Sequence, residues 1–250
     1  MPDATIRVAA AGDIHCDEHS GPRVAAAVRE LEGQADLLLL AGDITTHGRP
    51  QEAMVLAETL AGSEMPVFAV LGNHDCHAGH DREVVAILED AGIEVLEGEH
   101  AIVELHGVEV GLVGTKGFIG GFAGSHLPDF GEPLLRRVYA ATSKEAEAID
   151  RGLREVALCP LRIVLLHYAP VAETLEGEPP GIWAFLGSDR LAGPIMEHEP
   201  DLVLHGHAHA GRFEGRIGVV PVFNVSLPVM GRAFWVFELR GAEHPSGTIH

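Results

Sequence analysis

The chain has 250 residues, and its 37 acidic and 17 basic side chains give a formal net charge of −20. Such a surface repels a nucleic-acid backbone at long range, and no cluster of Lys and Arg offers a local exception. With 46% hydrophobic residues the chain can bury one large core, which excludes disorder in spite of 30 glycines and 15 prolines.

Ile6 to Ala11 reads as a first strand that runs into Gly12-Asp13. A helix is predicted from Gly21-Pro22, with proline in its first turn, to Leu31. Asp36 to Ala41 is apolar without alternation, as a strand covered on both faces should be. A second helix starts at Pro50 and ends before Gly62, and Pro66 to Leu71 repeats the strand. Strand, loop and helix thus recur, with a third helix over 81–91. The recurrence implies parallel strands with right-handed crossovers. It puts Asp13, Asp43 and Asn73 on one carboxyl edge, where neighbouring strand tips lie only about 5 Å apart.

After residue 92 the texture changes to short strands at 93–96, 101–105 and 108–113, with His106-Gly107 as a hairpin turn. A glycine-rich loop covers 114–133. Thr142 and Glu145 have capping-box spacing and predict a helix over 142–159. Leu161 to Leu166 is a strand ending in His167, followed by a second long loop over 169–187 and a short helix near 189–197. Asp201 to Leu204 leads into His205-Gly206-His207-Ala208-His209. The segments 218–225 and 233–239 are expected to be antiparallel, and 241–250 to be a frayed tail of a single domain spanning 1–250.

Cys16, Cys76 and Cys159 are too few and scattered for a disulfide framework or a thiolate zinc site, which points to a reducing, cytoplasmic setting. Residues 1–7 lack a basic region followed by an apolar run, and no apolar stretch reaches membrane-spanning length. Neither export nor membrane insertion is expected. No feature specifies an oligomeric state.

The strand ends carry the chemistry. Asp13, His15, Asp43, Asn73, His167, His207 and His209 form a mixed oxygen and nitrogen donor set without thiolate. That favours divalent Mn, Fe or Zn over a pure magnesium site. Seven donors are too many for one tetrahedral ion and suit two ions sharing a carboxylate. Gly42 and Gly72 let the chain turn where a side chain would crowd the site. His205 precedes the cluster and reads as a supporting or satisfied core histidine. Cys16 and Cys76 read as inert thiols, and Asp17, His19, His77 and His80 as rim candidates.

In order, Asp13-Ile14-His15, Gly42-Asp43, Gly72-Asn73-His74-Asp75, His167 and Gly206-His207-Ala208-His209 make a pattern that resembles the calcineurin-like metallophosphoesterases. The resemblance spans residues 6 to about 210 and implies an α/β fold, a four-layer αββα sandwich of two mixed β-sheets flanked by helices. The C-terminal strands resemble that family's second sheet. One metal would take Asp13, His15 and His209, the other Asn73, His167 and His207, with Asp43 bridging. The resemblance further implies in-line attack on phosphorus by a metal-bridging hydroxide. His74 would be the general acid or phosphate-orienting group, and Asp75 would hold its ring. The partner would be a small phosphomonoester or phosphodiester, a nucleotide among the options. A cyclic-nucleotide phosphodiesterase and a protein phosphatase are the narrower alternatives. A non-catalytic metal-binding scaffold is the reading from another class; His74 beside Asp75 favours an enzyme. Trp183, Phe185, Phe118, Phe122 and Phe130 lie in the two long loops, either over the pocket or as a small core beneath them.

Overall fold

The computed structural model describes residues 4–240. The predicted tail at 241–250 lies outside them. Strands β1 (Thr5–Ala11), β2 (Leu37–Ala41), β3 (Val67–Val70) and β4 (Ile93–Val95) are parallel neighbours, and β11 (Trp235–Arg240) closes the β1 edge antiparallel. The second sheet orders β5 (Glu99–Leu105), β6 (Val108–Gly114), β7 (Leu161–Leu165), β8 (Leu202–His205), β10 (Val220–Asn224) and β9 (Glu214–Ile217). Its inner four strands are parallel, and β5 and β9 flank them antiparallel.

Helices α1 (Gly21–Leu31), α2 (Pro50–Leu60) and α3 (Asp81–Asp90) bury Val24, Leu56 and Leu88 against the first sheet. Helix α4 (Pro133–Glu155) and the short α6 (Ala192–His198) bury Ile149, Leu153 and Ile195 against the second. Alternation on β7 shows why there are two cores. Leu161, Ile163 and Leu165 face the space between the sheets, while Val164 faces α4. The parallel strands are apolar on both faces because both are covered. The expected two-sheet sandwich with flanking helices is the observed fold. Among the described residues, no helix is long and apolar enough to cross a membrane.

Three local expectations are corrected. Helix α4 starts at Pro133, not Thr142. Thr142 is buried in mid-helix, and its hydroxyl donates to the carbonyls of Ile119 and Val138. Glu145 accepts from the Thr115 hydroxyl and the Gly117 amide, so this pair anchors the 115–132 loop instead of capping a helix. The loop at 169–187 is also not bare: it holds 3-10 turns at Ala172–Leu175 and Pro180–Ile182, then α5 (Trp183–Leu186). Finally, of the C-terminal strands only β9 and β10 belong to the second sheet, and β10 runs parallel to β8. β11 returns to the first sheet, where Phe213 stacks on Trp235 at 4.5 Å and Phe223 on Phe237 at 4.9 Å.

Far from the strand tips, Asp36 ties the two sheets together. Its carboxylate accepts from the Arg7 main chain and guanidinium and lies 3.1 Å from His106 Nε2 in the β5–β6 turn. Burial raises this carboxyl, but the hydrogen bonds from Arg7 and His106 outweigh it and hold it well below the usual carboxylate range. A folded-state value below the unfolded one stabilises the fold above roughly pH 4, and this contribution fades as pH falls toward the folded value. Asp36→Asn should therefore lower Tm at neutral pH, with a gap to wild type that narrows in acid. A gap that widens in acid would contradict this.

Candidate metal centre

Among the described residues, six besides glycine have positive φ, and four of them are Asp13 (57°), His15 (47°), Asp43 (48°) and His207 (71°). Side chains with a Cβ adopt this region at a cost, and it recurs where a chain must aim a functional group. Here the turn after each strand throws its donor sideways into the gap between the sheets. The glycines make room. A Cβ on Gly42 would lie 2.6 Å from the His167 ring, and one on Gly72 would collide with the Asp43 carboxylate and amide.

The topology brings all seven candidate ligands together. At the strand ends, three groups have donor atoms within 4.8 Å of one another: Asp13 with His15 and His209, Asp43 with His167 and His207, and His15 with Asp43 and His74. Asn73 joins the second through its side-chain oxygen, 3.0 Å from His167 Nε2. Asp43 stands between the groups. Its Oδ1 lies 3.4 Å from His167 Nε2, and its Oδ2 lies 4.0 Å from both His15 Nε2 and His74 Nε2. The floor is buried, with the His167 side chain 0% and that of Asp43 2% exposed; His74 at 44% and His209 at 45% mark the open side.

Main-chain carbonyls aim the imidazoles. His167 Nδ1 donates to Ala41 O at 3.0 Å, so in the neutral ring Nε2 is an acceptor. It faces two further acceptors, Asn73 Oδ1 and Asp43 Oδ1. Three acceptors thus converge in a buried spot, and although Asp43 Oδ1 also accepts from the His74 amide at 2.8 Å, a cation or an extra proton among them would relieve their mutual repulsion. His74 Nδ1 donates to Thr46 O at 2.7 Å, and His207 Nε2 to Phe185 O at 3.2 Å, which leaves the other nitrogen of each ring available. A ring N–H given to a carbonyl is the usual support of a metal-binding histidine.

Burial is the main cause that holds His207 well below an ordinary imidazole, at about 3. Burial also lowers His15. Neutral imidazole is the form that binds metal. The Asp13 carboxyl is raised by burial but pulled below its ordinary value by the His209 hydrogen bond at 2.8 Å and by the charge of His167. His209 is raised by the same bond, so the pair favours a proton on the imidazole facing the carboxylate, a positive charge that a cation could replace.

The expected contact between Asp75 and the His74 ring is not found. Asp75 is fully buried and accepts from the amides of Ile44, Thr45 and Gly72 and from the Thr45 hydroxyl. Its carboxyl is raised, first by burial, and it knits the turns after β2 and β3 together. The Thr46 carbonyl holds the His74 ring instead. His205 is a satisfied core residue, bonded at 2.9 Å to Thr174 beneath the 169–187 loop, and burial lowers it to about 4. Cys16 and Cys76 thiols are raised by burial, in keeping with inert groups. Asp17 is spent on the His19 and Ser20 amides, His80 pairs with Glu83, and His77 is exposed.

Sequence reasoning missed Tyr168, whose ring lies 4.5 Å from that of His207, although it directly follows His167. The carbonyls of Ala41, Thr46 and Phe185 left no signal, since any residue type supplies one. The loop aromatics divide. Phe122 and Trp183 pack with Leu175 and Leu186 in a satellite core, and Trp183 Nε1 donates to Glu178 O. Phe118 packs on Tyr168, and Phe185 and Phe130 are exposed at 59% and 80%. Trp183→Ala should thus cost about 2–3 kcal/mol, less than a fully buried Trp truncation because the ring is half-buried. A thermal melt checks it. An unchanged Tm with a selective loss on nucleotide substrates would restore a stacking role.

The family model for calcineurin-like phosphoesterases matches residues 6–211. The chain belongs to that family. Solved structures of the same fold include phosphopantetheinyl hydrolase from Mycobacterium tuberculosis, 15% identical with a TM-score of 0.66 over 99% of this chain and 100% of the other. TT1561 of Thermus thermophilus is 16% identical, with a TM-score of 0.60 over 96% and 100% of the two chains. A putative 5′-nucleotidase from Staphylococcus aureus is 15% identical, with a TM-score of 0.60 over 99% of this chain and 56% of its own. No curated protein matches the sequence.

Proposed function

We propose that this calcineurin-like phosphoesterase is a two-cation enzyme that hydrolyses a small phosphomonoester or phosphodiester. Asp13, His15 and His209 would hold one ion, Asn73, His167 and His207 the other, and Asp43 would be shared between them. The observation that carries this reading is the convergence of His167 Nε2, Asn73 Oδ1 and Asp43 Oδ1, three acceptors with no donor among them once Ala41 O has taken the ring N–H. A thiolate-free donor set of this kind suits Mn, Fe or Zn. Bound cations would supply charge that activates water and offsets the negative charge growing on a phosphoryl group.

The chain's own residues do the rest. The Thr46 carbonyl fixes His74 so that Nε2 points into the open side of the site, toward Asp43. There, with the ring doubly protonated, Nε2 can give its proton to the leaving oxygen and revert to the neutral ring that keeps the Nδ1–H on Thr46, or it can hold a phosphoryl oxygen. Asp75 fixes the main chain just after Asp43 and just before Asn73, so its part is positioning. A surface of net charge −20 disfavours nucleic acid, and cations at the strand ends would invert the field locally for a small anion. The free thiols of Cys16, Cys76 and Cys159 are in keeping with a cytoplasmic setting.

Mn-loaded protein should turn over an aryl phosphate monoester, its bis-ester or a cyclic mononucleotide, and chelation should stop it. No turnover of any class by protein with cations bound would favour the non-catalytic scaffold.

A further inference from the structure

The chain has only two lysines, Lys116 and Lys144. Lys116 lies just beyond the end of β6, the strand beside the one that leads to His167. Its main chain is locked to the site. The Lys116 carbonyl accepts from the amides of His167 and Tyr168 at 3.1 and 3.0 Å. Its neighbours are pinned as well, because Thr115 Oγ1 and the Gly117 amide both donate to Glu145. Gly117 has φ +72°, and a Cβ there would sit 3.3 Å from that of Tyr168. The lysine therefore starts from a fixed point beside His167.

Its side chain is half-buried. The ammonium lies 4.8 Å from the Phe118 ring centroid and 5.6 Å from that of Tyr168. The Tyr168 ring in turn meets those of His167 and His207 at 5.4 and 4.5 Å, so only one aromatic ring separates the lysine from the candidate metal centre. Among the described residues no carboxylate forms an ion pair with it, and Glu145 is committed to Thr115 and Gly117. Acidic side chains outnumber basic ones 37 to 17, so a half-buried cation without a carboxylate runs against the composition. Aromatic faces offset only part of the desolvation of an ammonium. An anion reaching across from the metal centre would complete the pair.

We infer that Lys116, with Phe118 and Tyr168 beneath it, forms a second anion subsite, and that the substrate carries a further anionic group beyond the phosphoester. This rests on the phosphoesterase reading and narrows its substrate class to doubly anionic small molecules, the second group being a phosphate or a carboxylate.

The test is calorimetric titration of Mn-loaded protein with alkylphosphonates of graded chain length whose far end is a phosphonate, a carboxylate or a hydroxyl. At the best length, a doubly anionic compound should bind about tenfold to a hundredfold more tightly than its hydroxyl counterpart, the worth of a hydrogen bond between charged groups. The larger of the two ratios names the second group. Lys116→Met should bring the ratio to about one, and Lys116→Arg should retain it. If Lys116→Met melts early, Lys116→Gln takes its place with the same expectation. A ratio near one in the wild type at every length, or an undiminished ratio without the lysine, overturns the subsite. Turnover of 4-nitrophenyl phosphate by the same preparation separates the two readings. Turnover without the ratio rejects the subsite alone, and the ratio without turnover keeps the subsite and rejects the catalytic reading.

Discussion

Asp43→Asn should lose both cations together and, with them, activity, by far more than the roughly 10–100-fold that loss of a supporting partner costs. The substitution isolates charge from shape. Asparagine tolerates the positive φ of 48° at this turn, and its carbonyl oxygen can still accept from the His74 amide, now 2.8 Å from Oδ1. It also removes the negative charge that, after burial, helps to raise Asp75. Metal-free Asp43→Asn should therefore melt no lower than metal-free wild type, while adding Mn should raise Tm of the wild type alone. Metal content by plasma emission and paired melts check both statements. A variant that keeps two ions would remove Asp43 from the place between them.

His74→Ala should behave oppositely, keeping both cations and losing rate. A placed proton donor contributes about 10²–10⁴, so kcat on an alkyl ester should fall by at least about a hundredfold. The loss should be much smaller for 4-nitrophenyl phosphate, whose leaving group departs without a proton. Main-chain geometry should survive, because the bond from the residue 74 amide to Asp43 does not use the side chain. An equal loss on both esters would mean that His74 orients the phosphoryl group instead of protonating the leaving oxygen. Loss of metal would mean that the grouping of His15, Asp43 and His74 holds an ion of its own.

Much of this was legible in the sequence because the parallel strands leave few choices. Runs such as Leu37–Ala41 are apolar throughout, and Pro22 and Pro50 mark helix starts, so β1 to β3 and α1 to α3 fall close to where patterning puts them. Once the strands are parallel, residues about thirty positions apart must meet at one edge, and the donors do. The errors share a physical cause. Thr142 and Glu145 have capping spacing, but their side chains are recruited by a loop that sequence cannot place, and Pro133 was the better start signal. β11 could by its pattern edge either sheet; it pairs with β1, and its Trp235 and Phe237 meet Phe213 and Phe223 across the two sheets, contacts that sequence does not announce. The mistaken role of Asp75 came from adjacency to His74. The ring turns to a main-chain acceptor at Thr46, which no residue type announces.

The central claim is that two cations sit at the carboxyl ends of the strands with Asp43 between them. Anomalous diffraction from Mn-loaded crystals, measured on both sides of the Mn absorption edge, tests it most directly. The expected result is two peaks a few Å apart, one among Asp13, His15 and His209, the other among Asn73, His167 and His207, with Asp43 between them. A single peak, or peaks that lie away from these seven side chains, would contradict it.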